Sequence, residues 1–183
     1  MDTLLDIVGS TIIGGLVFLI MMNLNTYSAT SKFSSDSGLR LQQNASTAAS
    51  IIDNDLRKIG YNYSQGNPII AAQLQRISFY SDINNDGEVD SVTLTISDST
   101  AASSTPNPHD KVFYRIINGD TLKGASLGLT NINFIYKDSL GNATSNINSI
   151  KYIQAEMWFQ STEKVDSTYQ QTFWEMTVNP RNL

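Results

Sequence analysis

The chain opens with an apolar run that no charge or proline interrupts. This run extends from Ile7 to Met22, and the sequence after it is mostly polar. As an α-helix rising ~1.5 Å per residue, the run and its flanks nearly span the ~30 Å hydrocarbon core of a bilayer. The pattern predicts an apolar stem over residues 1–24, which is either a membrane anchor or a polymerisation stem. The first positive side chain is Lys32, so the basic leading region of a cleaved signal peptide is missing.

A second helical pattern follows, in which only one face is apolar. Its apolar residues are spaced by three and four positions: Leu41, Ala45, Ala48, Ala49, Ile52, Leu56 and Ile59. Gly60 follows basic residues in the expected last turn, as is typical of a helix C-terminus. We therefore expect one helix from about Thr3 to Ile59, whose amphipathic part occupies residues 25–60. Gly38 and the serines before it are where a bend or a melted turn is expected.

Beyond Gly60 the apolar period changes to two, which is typical of strands. The segments expected to form strands are Gln75–Ser81, Ser91–Ile96, Lys111–Ile117, Thr121–Lys123, Ile132–Lys137, Ile150–Phe159 and Thr172–Val178. Short connections favour antiparallel pairing. The predicted fold class is α+β, with the amphipathic half of the helix packed on an antiparallel sheet formed by residues 61–183. Trp158 and Trp174 are expected to pack across that sheet or against the helix.

Composition excludes several function classes. The 183 residues carry a net charge of −5 and contain no basic cluster, which argues against a nucleic-acid partner. Cysteine is absent, so neither a disulfide nor a thiolate metal site can form. The single histidine, His109, lies in a turn-rich segment. Because no nucleophile–base set or phosphate loop is recognisable, the sequence does not predict an enzyme.

An acidic segment between two expected strands has the spacing of a calcium loop. Its oxygen-bearing residues alternate, and a glycine stands at the sixth position: Asp82, Asn84, Asp86, Gly87, Glu88 and Asp90. Calcium prefers several hard oxygen ligands, here four side chains and the backbone carbonyl of Glu88. The twelfth position is Thr93 rather than glutamate, and the loop joins strands, so it is not an EF-hand. The alternative is a polar hairpin turn built around Asp-Gly.

Small residues and one carboxylate mark the apolar stem. Ser10 with Gly14, and Thr11 with Gly15, are four positions apart and share a helix face, a spacing that lets helices approach closely in apolar surroundings. A carboxylate such as Asp6 is costly in such surroundings unless it is paired. The alternative is that Asp6 lies at a membrane surface, where the helix dipole favours a negative charge.

Three short motifs, together with this layout, resemble the type IV pilin superfamily. The start, Met1-Asp2-Thr3-Leu4-Leu5-Asp6, is similar to the start of a mature pilin, although family members usually carry glutamate where this chain has Leu5. The segment Asp55-Leu56-Arg57-Lys58-Ile59-Gly60-Tyr61 resembles the helix end of larger minor pilins and pseudopilins. The ending Pro180-Arg181-Asn182-Leu183 is also similar to that subgroup. The proline that usually interrupts the family's stem is absent.

The resemblance implies a structural subunit of an extracellular, cell-surface filament that assembles through its apolar helix. Asp6 would pair with the α-amino group of Met1 on a neighbouring subunit, and Ser10, Gly14 and Gly15 would lie at stem contacts. The expected partners are further copies of the chain, the inner membrane before assembly, and pilus or secretion assembly machinery. Two alternatives stay open: a minor pilin or type II secretion pseudopilin that initiates or caps a fibre, and a membrane-anchored calcium-binding or adhesive module.

Overall fold

The computed structural model describes residues 2–124 and 127–183. Its one α-helix, α1, runs from Asp2 to Arg57, which confirms the long helix expected from the sequence. Helical structure continues through Gly38, so the melted turn considered there does not form. A single glycine costs only about 1 kcal/mol of helix propensity, and the neighbouring residues include no proline.

The chain divides into two compact units, Met1–Gly38 and Leu39–Leu183. Within the described residues the first unit is helix alone. The second unit contains the amphipathic end of α1 and every strand that the structure describes.

Five strands form the first antiparallel sheet in chain order. They are β1 (Ile69–Gln73), β2 (Arg76–Ser81), β3 (Asp90–Ile96), β4 (Phe113–Ile117) and β5 (Asp120–Lys123). The β2–β3 pair, with Phe79 opposite Val92, is the expected hairpin. Strand β1 was not expected, because its sequence Ile-Ile-Ala-Ala-Gln lacks alternation and alanine has low strand propensity. It forms because its backbone pairs with β2 across a tight turn.

Three longer strands form the second antiparallel sheet. They are β6 (Leu129–Lys137), β7 (Tyr152–Val165) and β8 (Thr168–Val178), in that order. Strands β7 and β8 are longer than expected because their polar ends pair across a tight turn. Asp166 and Ser167 occupy this turn with positive φ values of 48° and 73°, the backbone conformation of a two-residue hairpin.

The core lies between the amphipathic end of α1 and the inner faces of the sheets. All seven apolar positions of the helical stripe are buried in one cluster with strand residues such as Phe79, Phe134 and Phe159. The helix thus packs against the antiparallel sheets, as expected for the α+β class.

The helix end is fixed by the C-terminal residues. Gly60 has a positive φ of 74°, and a Cβ built there would lie 2.9 Å from the Cβ of Asn182. Asn182 also donates a side-chain hydrogen bond to the carbonyl of Ile59. Glycine is therefore required at this position by both backbone conformation and space.

Candidate functional site

The stem presents apolar side chains around its circumference. Fourteen large apolar side chains between Leu4 and Leu24 are exposed. The helix is long and apolar enough to cross a membrane. Removing a leucine, isoleucine or phenylalanine side chain from water is worth about 1.5–3 kcal/mol. The exposed set therefore represents tens of kcal/mol of transfer free energy that burial in apolar surroundings would gain. This surface needs a non-aqueous environment.

The small residues of the stem leave room for a close neighbour. A Cβ built on Gly9, Gly14 or Gly15 would meet nothing within 4 Å. The Ser10 hydroxyl donates to the Ile7 carbonyl at 3.0 Å, and the Thr11 hydroxyl donates to the same carbonyl at 3.0 Å. Because these hydroxyls bond within their own helix, they need no outside partner in apolar surroundings.

The carboxylate of Asp6 is exposed on the stem. Among the residues that the structure describes, no positively charged group lies within ion-pair distance of it. Met1, the residue expected to meet Asp6 on a neighbouring subunit, lies outside the described residues. The pairing of Asp6 with Met1 stays a prediction.

The acidic loop is organised around Asp82, which is buried at the end of β2. Its Oδ1 accepts from the backbone N–H of Asp86 at 3.1 Å, and its Oδ2 accepts from Gly87 N–H at 3.1 Å and from the Asn62 amide at 2.7 Å. Desolvation would raise the pKa of Asp82, but these hydrogen bonds together lower it below the ordinary value. Asp82 therefore closes the loop as a carboxylate.

Two side chains in the middle of the loop accept hydrogen bonds from backbone N–H groups of the loop. Asn84 Oδ1 accepts from Asp86 N–H at 3.1 Å, the same donor that Asp82 holds. Asp86 Oδ1 accepts from Glu88 N–H at 2.8 Å. Asn84, Asp86 and Glu88 are all exposed. Side-chain oxygens from the first and third loop positions are thus gathered beside one N–H.

The far end of the loop is held by residues from elsewhere in the fold. Asp90 is buried, and its Oδ1 accepts from the Asn118 amide at 2.6 Å, while its Oδ2 accepts from Ile83 N–H at 3.3 Å. Lys58, at the end of the helix, donates to the Ile83 carbonyl at 2.8 Å. Asn62, Asn118 and Lys58 were not predicted as part of this site, because their sequence separation from it gave no signal.

The five predicted metal ligands therefore lie between the end of β2 and the first residue of β3, with different roles. In the part of the chain that the structure describes, no three acidic or histidine side chains converge closely enough to hold a metal by themselves. A calcium ion would need the amide oxygen of Asn84 and the carbonyl of Glu88 as well, which is the ligand set predicted from the sequence. The binding of calcium stays a prediction.

A buried ion pair in the second unit was not predicted. Arg115 on β4 donates from Nε and Nη2 to the two carboxylate oxygens of Asp55, at 2.7 and 2.9 Å. The Asp55 side chain is only 2% exposed. Burial raises the pKa of Asp55, although the hydrogen bonds and charge of Arg115 and the charge of Lys58 act to lower it. Asp55 thus belongs to the fold rather than to an exposed site.

Comparison with known proteins adds no family. The chain matches no protein-family model, no curated protein and no solved structure.

Proposed function

We propose that this chain is a structural subunit of an extracellular pilus-like filament, assembled through its apolar N-terminal helix. The observation that carries the proposal is the contrast within α1. Its N-terminal part exposes apolar side chains on all sides, whereas the apolar face of its C-terminal part is buried in the chain's own core. The exposed part needs apolar surroundings that this chain does not supply.

Packed stems supply such surroundings outside the membrane. The open surface at Gly14 and Gly15 allows neighbouring helices to approach closely. In lipid the hydrophobic effect does not drive helices together, so the close packing of small residues stabilises their association instead. The internally bonded hydroxyls of Ser10 and Thr11 lose nothing in that setting. A bilayer would hold the stem before assembly, and neighbouring stems would hold it afterwards.

Asp6 sets the register in this proposal. A lone carboxylate within packed apolar helices costs several kcal/mol, and an α-amino group from a neighbouring Met1 would offset that cost. The pairing would admit one axial offset between subunits, because other offsets leave both charges unpaired.

The test is to shear material from the surface of cells that make the protein and to image it by cryo-electron microscopy. We expect fibres that contain this chain along their length, with the stems at the centre. Fibres with the chain only at the tip would support the minor-pilin alternative instead. A chain that stays monomeric in the membrane would contradict the filament proposal and support the anchored module.

A matched pair of variants tests the role of Asp6. We expect Asp6→Asn to remain in the membrane fraction but to abolish fibres. Asp36→Asn changes a carboxylate of the same helix outside the apolar run, and we expect it to assemble normally. Equal assembly of both variants would show that the Asp6 charge does not set the register.

We also propose calcium binding by the acidic loop, through the side chains of Asp82, Asn84, Asp86 and Asp90 and the carbonyl of Glu88. The supporting observation is that Asp82 and Asn84 already direct oxygens to one point of the loop. Calcium titration monitored by thermal unfolding should raise the midpoint of the native chain and of Asp138→Asn, a control in another turn. It should leave Asp86→Asn unchanged; a midpoint insensitive to calcium in the native chain would refute the site.

A further inference from the structure

One face of the second sheet carries a row of aromatic and amide side chains. The register places Asn131, Trp158 and Phe173 directly opposite one another on β6, β7 and β8. The neighbouring row, which includes Met157 in the core, points to the other face. The rings of Trp158 and Phe173 are 5.2 Å apart at their centroids and inclined at 52°. They form a tilted aromatic pair on the face away from the core.

A groove of about 390 Å³ lies over this pair, a volume within the range of small-molecule sites. Besides Trp158 and Phe173, the outward-facing side chains along it are the amides Asn131, Gln160 and Gln171. Within the described residues, no charged side chain lines the groove. Its chemistry therefore suits a ligand that has apolar faces and many neutral hydrogen-bonding groups.

The amides at the groove are positioned by neighbours before any ligand arrives. Gln75 donates to the Asn131 Oδ1 at 2.7 Å. The Gln160 Oε1 accepts from the Asn107 amide at 3.2 Å and lies 2.9 Å from His109 Nδ1. Because these side chains are already ordered, a ligand that bonds to them loses less conformational entropy.

The charge beside the groove narrows the ligand class. Glu156 and Glu175 lie directly opposite each other in the next outward-facing row, an arrangement that is unfavourable for a sheet because like charges face each other. Their carboxylates repel an anionic ligand and accept hydrogen bonds from hydroxyl groups. Phosphate-rich and uronic-acid polymers are therefore disfavoured.

We propose that this groove binds a neutral oligosaccharide. The C–H face of a sugar ring would lie on the rings of Phe173 and Trp158, since the negative face of an aromatic ring attracts polarised C–H groups. The amides of Asn131, Gln160 and Gln171 would bond to the sugar hydroxyls. The proposal does not depend on filament assembly, because every residue involved lies in the unit Leu39–Leu183.

The test titrates the full chain in detergent micelles with neutral hexasaccharides of glucose, mannose, galactose and N-acetylglucosamine. A hexasaccharide of galacturonic acid serves as the anionic counterpart. Binding is followed by saturation-transfer NMR and by tryptophan fluorescence. We expect at least one neutral hexasaccharide to bind with a Kd of about 1 mM or tighter, and the anionic one to show no binding.

Neighbouring residues on opposite faces of β8 supply the matched variants. Phe173 is 49% exposed on the groove face, and Trp174 is 38% exposed on the opposite face. Phe173→Ala should weaken binding about tenfold, the loss expected for one stacking partner, and Trp174→Ala should not. Gln171→Ala removes an amide proposed to bond to the sugar, so it should also weaken binding. Because Gln171 is exposed, this change should not affect folding. The proposal is overturned if no neutral hexasaccharide binds, if the anionic one binds equally well, or if both aromatic variants lose binding alike.

Discussion

The two ends of α1 use the same kinds of residues for opposite purposes. Leu16, near one end, is 56% exposed, whereas Leu56, near the other, is fully buried. The difference lies in the arrangement of the apolar residues. A one-sided apolar stripe is buried against the sheets of the same chain. An apolar surface around the whole helix can be buried only by a membrane or by other molecules.

The carboxylates at the two ends differ in the same way. Asp55 is buried with a bidentate partner, Arg115, whereas Asp6 is exposed without a positive partner among the described residues. A buried charge is tolerated only where its partner is built into the fold. The comparison therefore predicts that changes near Asp55 affect folding and changes near Asp6 affect assembly.

Removing residues 1–38 should produce the largest effect. It should abolish membrane association and assembly but leave folding intact. The remaining unit, Leu39–Leu183, contains the whole buried core. We expect it to be soluble, monomeric and folded, with a circular dichroism spectrum rich in strand signal, whereas the full chain stays with membranes after alkaline extraction. A truncated chain that unfolds, or that still binds membranes, would show that the two ends of the helix are not independent.

Breaking the Asp55–Arg115 pair should greatly lower the stability of the second unit. Arg115→Met leaves the Asp55 carboxylate buried without a counter-charge, which typically costs about 3–5 kcal/mol. Urea unfolding at pH 7 measures the loss. Asp55→Asn is the matched control, and it should cost less, since Arg115 is partly exposed and can be solvated.

The pH dependence sharpens this prediction. The pKa of Asp55 is raised in the folded state above the ordinary value of 3.8, so its protonation favours folding. Its contribution to stability is complete below that ordinary value and is lost as pH rises through the raised folded value. Without Arg115 the pKa should rise further, so the loss in Arg115→Met should shrink as pH falls. A loss independent of pH would point to lost packing by the arginine stem instead.

Truncating a leucine at each end of the helix should separate folding from assembly. Leu56→Ala removes a fully buried side chain and should lower the free energy of unfolding by about 2–5 kcal/mol. Leu16→Ala should leave the unfolding of the second unit unchanged and reduce the yield of fibres. If Leu16→Ala also destabilises that unit, the stem contributes to its core.

The sequence predicted most of the fold because helix and strand periods are local signals. The stripe from Leu41 to Ile59 and the β2–β3 hairpin are examples. Strand β1 and the polar ends of β7 and β8 could not be predicted, since backbone pairing across turns stabilises them rather than apolar alternation. Turn geometry and tertiary contacts overrode weak local propensity there.

The acidic loop shows how far the sequence predicts a site. The spacing of its own residues marked the segment from Asp82 to Asp90 as a candidate calcium site, and calcium binding there stays a prediction. The hydrogen bonds that Asn62, Asn118 and Lys58 donate to this segment could not be predicted, because they depend on which distant segments pack together. The ion pair between Asp55 and Arg115 was not predicted either, because Arg115 lies on a strand that is distant in sequence.

The smallest effect is expected in the acidic loop, where a buried carboxylate again has its partners within the chain. Hydrogen bonds lower the pKa of Asp82 below its ordinary value of 3.8, so the carboxylate form favours folding. This contribution is present above that value and is lost as pH falls through the lower folded value. Thermal midpoints measured from pH 5 downwards should therefore fall less in Asp82→Asn than in the native chain. Asp138→Asn controls for the change in net charge and should follow the native chain; identical curves for Asp82→Asn and the native chain would show that Asp82 does not brace the loop.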